Sequence, residues 1–149
     1  MRFGRRASKA PWYSGGLAFE CQECGGCCAG PQEGYVWVTR DEVEAIAAHL
    51  RISVHEMMDK YVRKVGRRLS LIEVKKTKDC VFLETARDGQ RRCAIYSYRP
   101  KQCLTWPFWR SNIGDQDDWA MAGVRCVGIN RGKLHSLDEI ETRRDATRE

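Results

Sequence analysis

Cysteine content constrains this 149-residue chain more than any other feature, because the chain carries eight cysteines. Four of them fall within eight positions of the stretch FECQECGGCCAGP, and the last two are adjacent. The cluster comprises Cys21, Cys24, Cys27 and Cys28, and the remaining four are Cys80, Cys93, Cys103 and Cys126. In a reducing compartment such a set favours metal binding or thiol catalysis, whereas disulfides are the alternative for an exported protein.

The N-terminal sequence predicts a cytoplasmic location. The first ten residues are basic, but the apolar segment of a signal peptide does not follow them. No apolar run approaches the roughly 20 residues that a membrane-spanning helix needs, so we expect no membrane association. The net charge is +6, yet the Lys and Arg residues are scattered among acids. This distribution favours a solvated surface and argues against a nucleic-acid partner.

The spacing C-x2-C-x2-C in the cluster lets thiolates turn back onto one metal ion. Gly25 and Gly26 permit the positive-φ conformations that such tight loops use. The spacing is similar to the opening of the bacterial iron–sulfur run C-x2-C-x2-C-x3-C-P. Pro31 stands where that run has its fourth cysteine, and the additional thiol is Cys28 instead.

The adjacent thiols Cys27 and Cys28 suggest two metal sites. Successive side chains tend to diverge, so terminal binding of one ion by both thiolates would close a strained ring. We hypothesise that the pair forms a junction between two metal ions, or between two irons of a larger cluster. The four later cysteines would then complete two sites of four thiolates. For Cys80 and Cys126 the alternative is a role as small buried core residues.

Other residues that could bind or surround a metal carry weaker signals. The histidines lack a paired spacing to a cysteine, and we predict surface positions for His49, His55 and His135. Asp79 could support a ligand, but a turn position is the preferred interpretation. Aromatic residues follow Cys103 closely and would either shield a metal centre or fill the core; they are Trp106, Phe108 and Trp109.

The overall pattern predicts a single small α+β domain. We expect short strands with a hairpin, two to four helices, and long irregular loops organised around a cysteine-ligated metal centre that compensates for a thin core. Residues 1–18 are predicted to form a flexible basic arm, residues 19–135 the metal-binding domain, and residues 136–149 a polar helix or tail.

Local signals place individual elements along this domain. Three S/T-x-x-E capping boxes, beginning at Thr39, Ser53 and Ser136, predict helix starts. The run GYVWVT and the segment Arg67–Lys75 are typical of strands. A hairpin is predicted around ARDGQ, and Pro100 suits the first turn of a helix that includes Cys103.

Four stretches together resemble the bacterial YkgJ-like CxxCxxCC cysteine-cluster family: CQECGGCC, DCVFLE, CAIYSYRPKQCLTWPF and CVG. The resemblance extends over about Phe19 to Gly132 and implies a domain that chelates zinc or iron. It implies that all eight cysteines occupy the family's cysteine positions. Leu104 departs from the family, since many relatives have arginine there. Other matching signature residues are Tyr96, Arg99, Pro100, Pro107 and Phe108.

The functional expectation is a metal-binding protein with all eight cysteines as ligands. An all-thiolate donor set favours an iron–sulfur cluster of the [4Fe–4S] type, with a redox or cluster-dependent role and a protein or redox partner. The alternatives are closed four-cysteine Zn²⁺ sites in an interaction module, or a metal carrier. Tyr96 and Arg99 are expected beside the ligands. Arg99 would either offset thiolate charge or hydrogen-bond loop carbonyls. The sequence does not identify a catalytic residue and leaves the question of enzymatic activity open.

Overall fold

The computed structural model describes residues 9–30 and 34–147, which form an α+β domain as predicted. Within this part of the chain the helices are α1 (Arg40–Leu50), α2 (Val54–Tyr61), α3 (Lys101–Thr105), α4 (Arg110–Ile113), α5 (Gln116–Arg125) and α6 (Leu137–Ala146). Four of these helices have eight or more residues, and α3 and α4 are single turns of five and four residues.

Short strands form three small antiparallel sheets. The strands are β1 (Leu17–Phe19), β2 (Val36–Val38), β3 (Val62–Val65), β4 (Arg68–Leu71), β5 (Leu83–Thr85), β6 (Arg91–Cys93) and β7 (Ile129–His135). β1 pairs with β7, β4 lies between β2 and β3, and β5 and β6 form the predicted hairpin around ARDGQ. The pairing of β1 with β7 joins segments more than a hundred residues apart.

The described residues form two hydrophobic cores. The aromatic core is defined by Tyr13, Leu17, Phe19, Trp106, Phe108, Ile113, Trp119, Ala122, Cys126, Ile129 and Ile140. The aliphatic core is defined by Val38, Val43, Ile46, Ala47, Met57, Val62, Leu71, Cys80, Phe82 and Ile95. The aromatic core joins the two ends of the chain, and the aliphatic core is built from its middle.

The capping boxes form the predicted helix starts. Thr39 and Glu42 exchange both hydrogen bonds of the box at the start of α1. Ser53 accepts a hydrogen bond from the backbone of the third residue of α2, and Ser136 does the same in α6. Each bond satisfies an amide that the first helical turn leaves without a partner, which is why a local sequence signal predicts these starts.

The first described residues differ from the predicted flexible arm. Tyr13 and Leu17 are buried in the aromatic core, and the Trp12 indole donates to the Ile113 carbonyl at 2.8 Å. Residues 17–19 also complete the sheet with β7. Burial of these apolar side chains anchors this part of the segment, whereas residues 1–8 lie outside the described part of the chain.

His135 contradicts the prediction of a surface histidine. Its side chain is buried at the end of β7. Nδ1 lies 2.9 Å from the Glu139 carboxylate, and Nε2 lies 2.9 Å from the Phe19 carbonyl. Both partners can only accept, so both contacts are hydrogen bonds when each ring nitrogen carries a proton, and they tie β7 to β1 just before the cysteine cluster. His49 and His55 are exposed, as predicted.

Two polar side chains attach α3 to the rest of the domain. The Glu42 carboxylate accepts from the Thr39 amide and also from the Lys101 amide at 2.6 Å, so it caps α1 and α3 together. The buried Gln102 amide accepts from the Trp37 N–H at 2.7 Å and donates to the Tyr35 carbonyl at 2.8 Å. Gln102 therefore continues the hydrogen bonding of β2 and fixes the position of its neighbour Cys103.

Candidate metal centre

The cluster cysteines lie on the loop that leaves β1. Gly25 adopts φ 75°, and Gly26–Cys28 forms a turn of 3-10 helix. The backbone amides of Glu23 and Gly26 each donate to a cysteine sulfur at 3.4 Å. This is the tight, amide-rich loop that the cysteine spacing predicts. Pro31, which replaces the fourth cysteine of the iron–sulfur run, lies outside the described residues.

Distant parts of the chain hold this loop by its backbone. Arg125 donates to the carbonyls of Gly26 at 3.1 Å, Cys27 at 3.4 Å and Ala29 at 2.9 Å. A side chain at Gly26 would collide with the Arg125 carbonyl, so only glycine allows this approach. The two segments are almost a hundred residues apart in sequence, so their contact is purely tertiary.

A second contact joins the end of the cluster to the segment around Cys80. The Cys80 amide donates to the Cys28 carbonyl at 2.7 Å, and Asp79 Oδ1 accepts from the Gly30 amide at 2.7 Å. The Asp79 carboxylate is thus more than a turn residue, because it fixes the cluster loop. The later cysteines approach from separate elements: Cys93 ends β6, Cys103 lies within α3, and Cys126 follows α5.

These elements bring all eight cysteines to the walls of three cavities, which have Cys27, Cys28 and Trp106 in common. The first cavity, of about 160 Å³, is also lined by Cys21, Cys24, Cys93 and Cys126. The second, of about 210 Å³, is also lined by Cys21, Cys80, Cys93 and Cys103. The third, of about 120 Å³, includes Cys80 and Cys103. The adjacent pair therefore lies at the centre of the arrangement.

The central thiols interact directly. The sulfur atoms of Cys27 and Cys28 are 4.0 Å apart, so these adjacent side chains point to the same side of the loop. Hydrogen bonding with Cys28 lowers the pKa of Cys27 to about 7 and that of Cys93 to about 7. The pKa of Cys28 rises correspondingly, because the Cys28 thiol keeps its proton in hydrogen bonds with Cys27 and Cys93. A metal ion that bound these thiols would have to displace their protons.

Burial is the main influence on the thiols of Cys80 and Cys103. Burial raises the pKa of Cys80 to about 11, and burial likewise raises the pKa of Cys103 above its ordinary value. Neighbouring thiols act in the same direction on both. An uncompensated thiolate is unfavourable there, so ionisation of either group requires a nearby cation.

The donor chemistry of these residues fits a thiophilic metal. All eight cysteines are free thiols. Within residues 9–30 and 34–147, no three His, Cys, Asp or Glu side chains are grouped closely enough to hold a metal ion as they stand. The 4.0 Å between Cys27 and Cys28 is nevertheless close to the roughly 3.8 Å between two thiolates on a tetrahedral ion with 2.3 Å bonds.

Comparison with known proteins agrees with this donor set. The model of the CxxCxxCC family, described as "Putative zinc- or iron-chelating domain", matches residues 20–127, which is more than half of the chain. The chain belongs to the CxxCxxCC family. The matched region contains all eight cysteines of the CxxCxxCC domain and most of the structural elements that carry them.

The CxxCxxCC domain also has a relative among curated proteins. It is 31% identical over 96 residues to the uncharacterized protein MJ0661 of Methanocaldococcus jannaschii. The match covers 64% of this chain and 48% of the relative, so the chain spans about half the length of that protein. No solved structure matches the chain. None of the helices in the described part is both long and apolar enough to cross a membrane.

Arg99 and Tyr96 both lie near cysteines of the cluster. Both line the first cavity, and the Arg99 guanidinium lies 3.8 Å from the centre of the Tyr96 ring. Arg99 also donates to the Tyr96 carbonyl at 2.9 Å. Its positive charge lowers the pKa of Cys27 and Cys93 as a secondary cause. Arg99 thus contacts a loop carbonyl and also acts on thiol charge.

Tyr96 interacts with the cluster through its hydroxyl group. Hydrogen bonding to Cys21 raises the pKa of Tyr96. This contact connects the short helical turn at Tyr96–Tyr98 to the first cysteine of the cluster. Leu104 is 52% exposed although it also lines the second cavity.

Sequence reasoning missed Arg125 at this site and did not single out Trp106. The hydrogen bonds of Arg125 go to backbone carbonyls, and no spacing within the sequence indicates such partners. Trp106 is one of several aromatic residues that follow Cys103 in the sequence, yet it is the one that lines all three cavities. Its position directly after α3 was the available signal, because α3 carries Cys103.

Proposed function

We propose that this CxxCxxCC domain binds an iron–sulfur cluster through its cysteine thiolates, with the [4Fe–4S] type favoured. The protein would then have a redox or cluster-dependent role. The observation that carries the proposal is the convergence of eight free thiols on three cavities that share Cys27 and Cys28. Neither histidine nor carboxylate lines the second cavity. Donor sets made only of thiolate favour iron–sulfur clusters or zinc.

The cavities divide the proposed ligands into two ends. Cys24 and Cys126 line only the first cavity, whereas Cys80 and Cys103 line only the second and third. Cys21 and Cys93 line both the first and the second. This arrangement supports one set of thiolates at the Cys126 end and another at the Cys80 end, joined at Cys27 and Cys28.

The surrounding residues suit a redox centre. Four thiolates around a divalent ion carry net negative charge, and the guanidinium groups of Arg99 and Arg125 lie in the cavity walls. Trp106 and Phe19 contribute apolar walls that limit solvent access, which influences the reduction potential of iron–sulfur groups. When bound, such a cluster supplies one-electron transfer to a partner protein.

A zinc-stabilised interaction module is the second candidate. The 4.0 Å separation of the Cys27 and Cys28 sulfurs supports it, because two thiolates on one tetrahedral zinc ion are about 3.8 Å apart. Closed four-thiolate sites leave no position for substrate, so this candidate has no catalytic role. It would stabilise the fold by linking loops that otherwise meet only through hydrogen bonds.

Metal analysis of protein purified without oxygen tests both candidates. Iron with matching acid-labile sulfide, and a broad absorption band near roughly 400 nm, would support the iron–sulfur proposal. About two zinc ions per chain, without colour or sulfide, would support the module instead. A chain that binds neither metal after reconstitution would refute both.

Paired substitutions test the division into two ends. Cys24→Ser with Cys126→Ser should remove ligands from one end, and Cys80→Ser with Cys103→Ser should remove them from the other. Each pair should lower metal content while leaving part of it bound, with circular dichroism as the control for folding. Complete loss with either pair would argue for a single shared centre.

A further inference from the structure

The Trp106 side chain contains a polar group without a partner. Its Nε1 is the one buried side-chain nitrogen or oxygen in the described part of the chain that has no hydrogen-bond partner. Other indoles find acceptors: Trp12 donates to Ile113 at 2.8 Å, Trp109 to Gln102 at 2.9 Å, and Trp119 to Asn130 at 2.9 Å. A buried donor without an acceptor is unfavourable and rare, so this N–H requires an explanation.

The surroundings of Trp106 indicate what kind of acceptor is missing. The ring lines all three cysteine cavities together with Cys27 and Cys28. It is 7% exposed, and its edge-on contact with Trp109 at 4.9 Å helps to fix its orientation. Arg125 lies 6.0 Å from its centre and is a donor, not an acceptor. Sulfur is therefore the potential acceptor that these cavity walls supply in greatest number.

We propose that the Trp106 indole N–H donates a hydrogen bond to a negatively charged sulfur of the bound metal centre, either a cysteine thiolate or an inorganic sulfide. This inference rests on the proposed function. A neutral thiol is a weak acceptor, whereas a metal-bound thiolate or sulfide carries negative charge and accepts more strongly. Metal binding would thus satisfy a donor that the metal-free fold leaves without a partner.

The hydrogen bond would tune the centre as well as stabilise it. Hydrogen bonds to sulfur withdraw electron density and favour the more negatively charged oxidation state of an iron–sulfur cluster. Removal of the donor should therefore shift the reduction potential to a more negative value. In a zinc site, the same removal would leave the thiolates more basic and more reactive.

The test compares Trp106→Phe with the wild-type chain after anaerobic reconstitution with iron and sulfide, and after loading with Zn²⁺ alone. Trp119→Phe is the matched control, because it removes a buried indole whose N–H already has an acceptor. We expect a more negative reduction potential, or a several-fold faster alkylation of the zinc thiolates, in Trp106→Phe and not in Trp119→Phe. Identical behaviour of the two variants would overturn the inference and leave the proposed function intact.

A second measurement uses the wild-type chain, so its result does not depend on whether a variant folds. With ¹⁵N-labelled indoles, the Trp106 N–H signal should move downfield and exchange more slowly on addition of Zn²⁺, after assignment with single Trp→Phe variants. An N–H signal that is unchanged while zinc binds would refute the hydrogen bond. A wild-type chain that binds neither zinc nor an iron–sulfur cluster would refute the proposed function and this inference together.

Discussion

The aromatic and aliphatic cores differ in composition and in the sequence distance that they span. Five aromatic side chains fill the aromatic core, and its residues come from both ends of the chain, from Tyr13 to Ile140. The aliphatic core contains one aromatic residue, Phe82, and lies within residues 38–95. The aliphatic core therefore forms within one segment of the chain, whereas the aromatic core forms only when more distant segments meet.

The cysteines connect these two cores. Cys126 belongs to the aromatic core, Cys80 belongs to the aliphatic core, and Cys28 and Cys93 pack against the aliphatic core. The centre that the eight thiols would form thus lies where the cores meet. A bound metal would hold together two units with different folding requirements, so its loss should affect the long-range aromatic core more.

The largest effect is expected from breaking the aromatic core itself. Phe108 is fully buried, stacks on Trp119 at 5.9 Å and meets Phe19 edge-on at 6.1 Å. Phe108→Ala should lower the free energy of unfolding by about 3–5 kcal/mol, because it leaves a cavity. Ile46→Val in the aliphatic core should cost only about 0.5–1.5 kcal/mol. Denaturant titration measures both, and equal losses would contradict the comparison.

Metal removal should separate the behaviour of the two cores. A metal present at a hundredfold excess over its dissociation constant stabilises the fold by about 2.7 kcal/mol. Chelation should therefore lower the unfolding midpoint and accelerate amide exchange in β1 and β7 more than in α1. Hydrogen exchange followed by mass spectrometry, with and without chelator, checks this. Uniform acceleration throughout the chain would show that the metal does not act at the junction of the cores.

A smaller effect is expected from substitution of Arg125, which holds the cluster loop. Arg125→Gln removes the guanidinium that binds three loop carbonyls, and we expect a loss of about 1 kcal/mol because the contacts are partly exposed. Metal affinity should fall as the loop loosens. Arg40→Gln is the control, since Arg40 forms an exposed ion pair with Glu44 within α1 and lines none of the three cysteine cavities. Calorimetric metal titration that gives equal affinities for both variants would exclude a role for Arg125.

The smallest effect is expected at Glu139, which supports the aromatic core through His135. Hydrogen bonding to His135 lowers the pKa of Glu139 below its ordinary value of 4.5. The ionised form therefore stabilises the fold above about pH 4.5, and this contribution disappears as the pH falls through the lowered pKa. Glu139→Gln should lower the thermal midpoint at pH 7, and the difference from wild type should shrink as the pH falls through the lowered pKa. A difference that does not change with pH would contradict the assignment, with Glu141→Gln as control.

Local elements could be predicted from the sequence because their signals are local. The capping residues Thr39, Ser53 and Ser136 bond within three residues of themselves, and the hairpin turn joins neighbouring strands. α5 was missed because its pattern does not mark one apolar face: Met121 and Val124 are exposed while Trp119 is buried. β7 was missed because its partner β1 is remote in sequence.

The candidate site, too, could be predicted only as far as local sequence signals reach. Motif spacing predicts which residues belong to it, since a thiol cluster has few other uses in a reducing compartment. The arrangement of those thiols depends on contacts such as Arg125 with Gly26 and Asp79 with Gly30, which only the tertiary structure brings together. The burial of His135 has the same cause, because its partner Phe19 lies 116 residues away.

The pairing of β1 with β7 has a consequence for how the protein is made in the cell. Ribosomes add roughly 5–20 residues per second, so the cluster thiols emerge about 5–20 s before Cys126 and β7. Throughout that interval β1 has no strand to pair with, and Cys21, Cys24, Cys27 and Cys28 are open to oxidants and to adventitious metals. The proposed eight-thiolate centre can be completed only after Cys126 has left the ribosome, so the first four thiols must stay reduced until then.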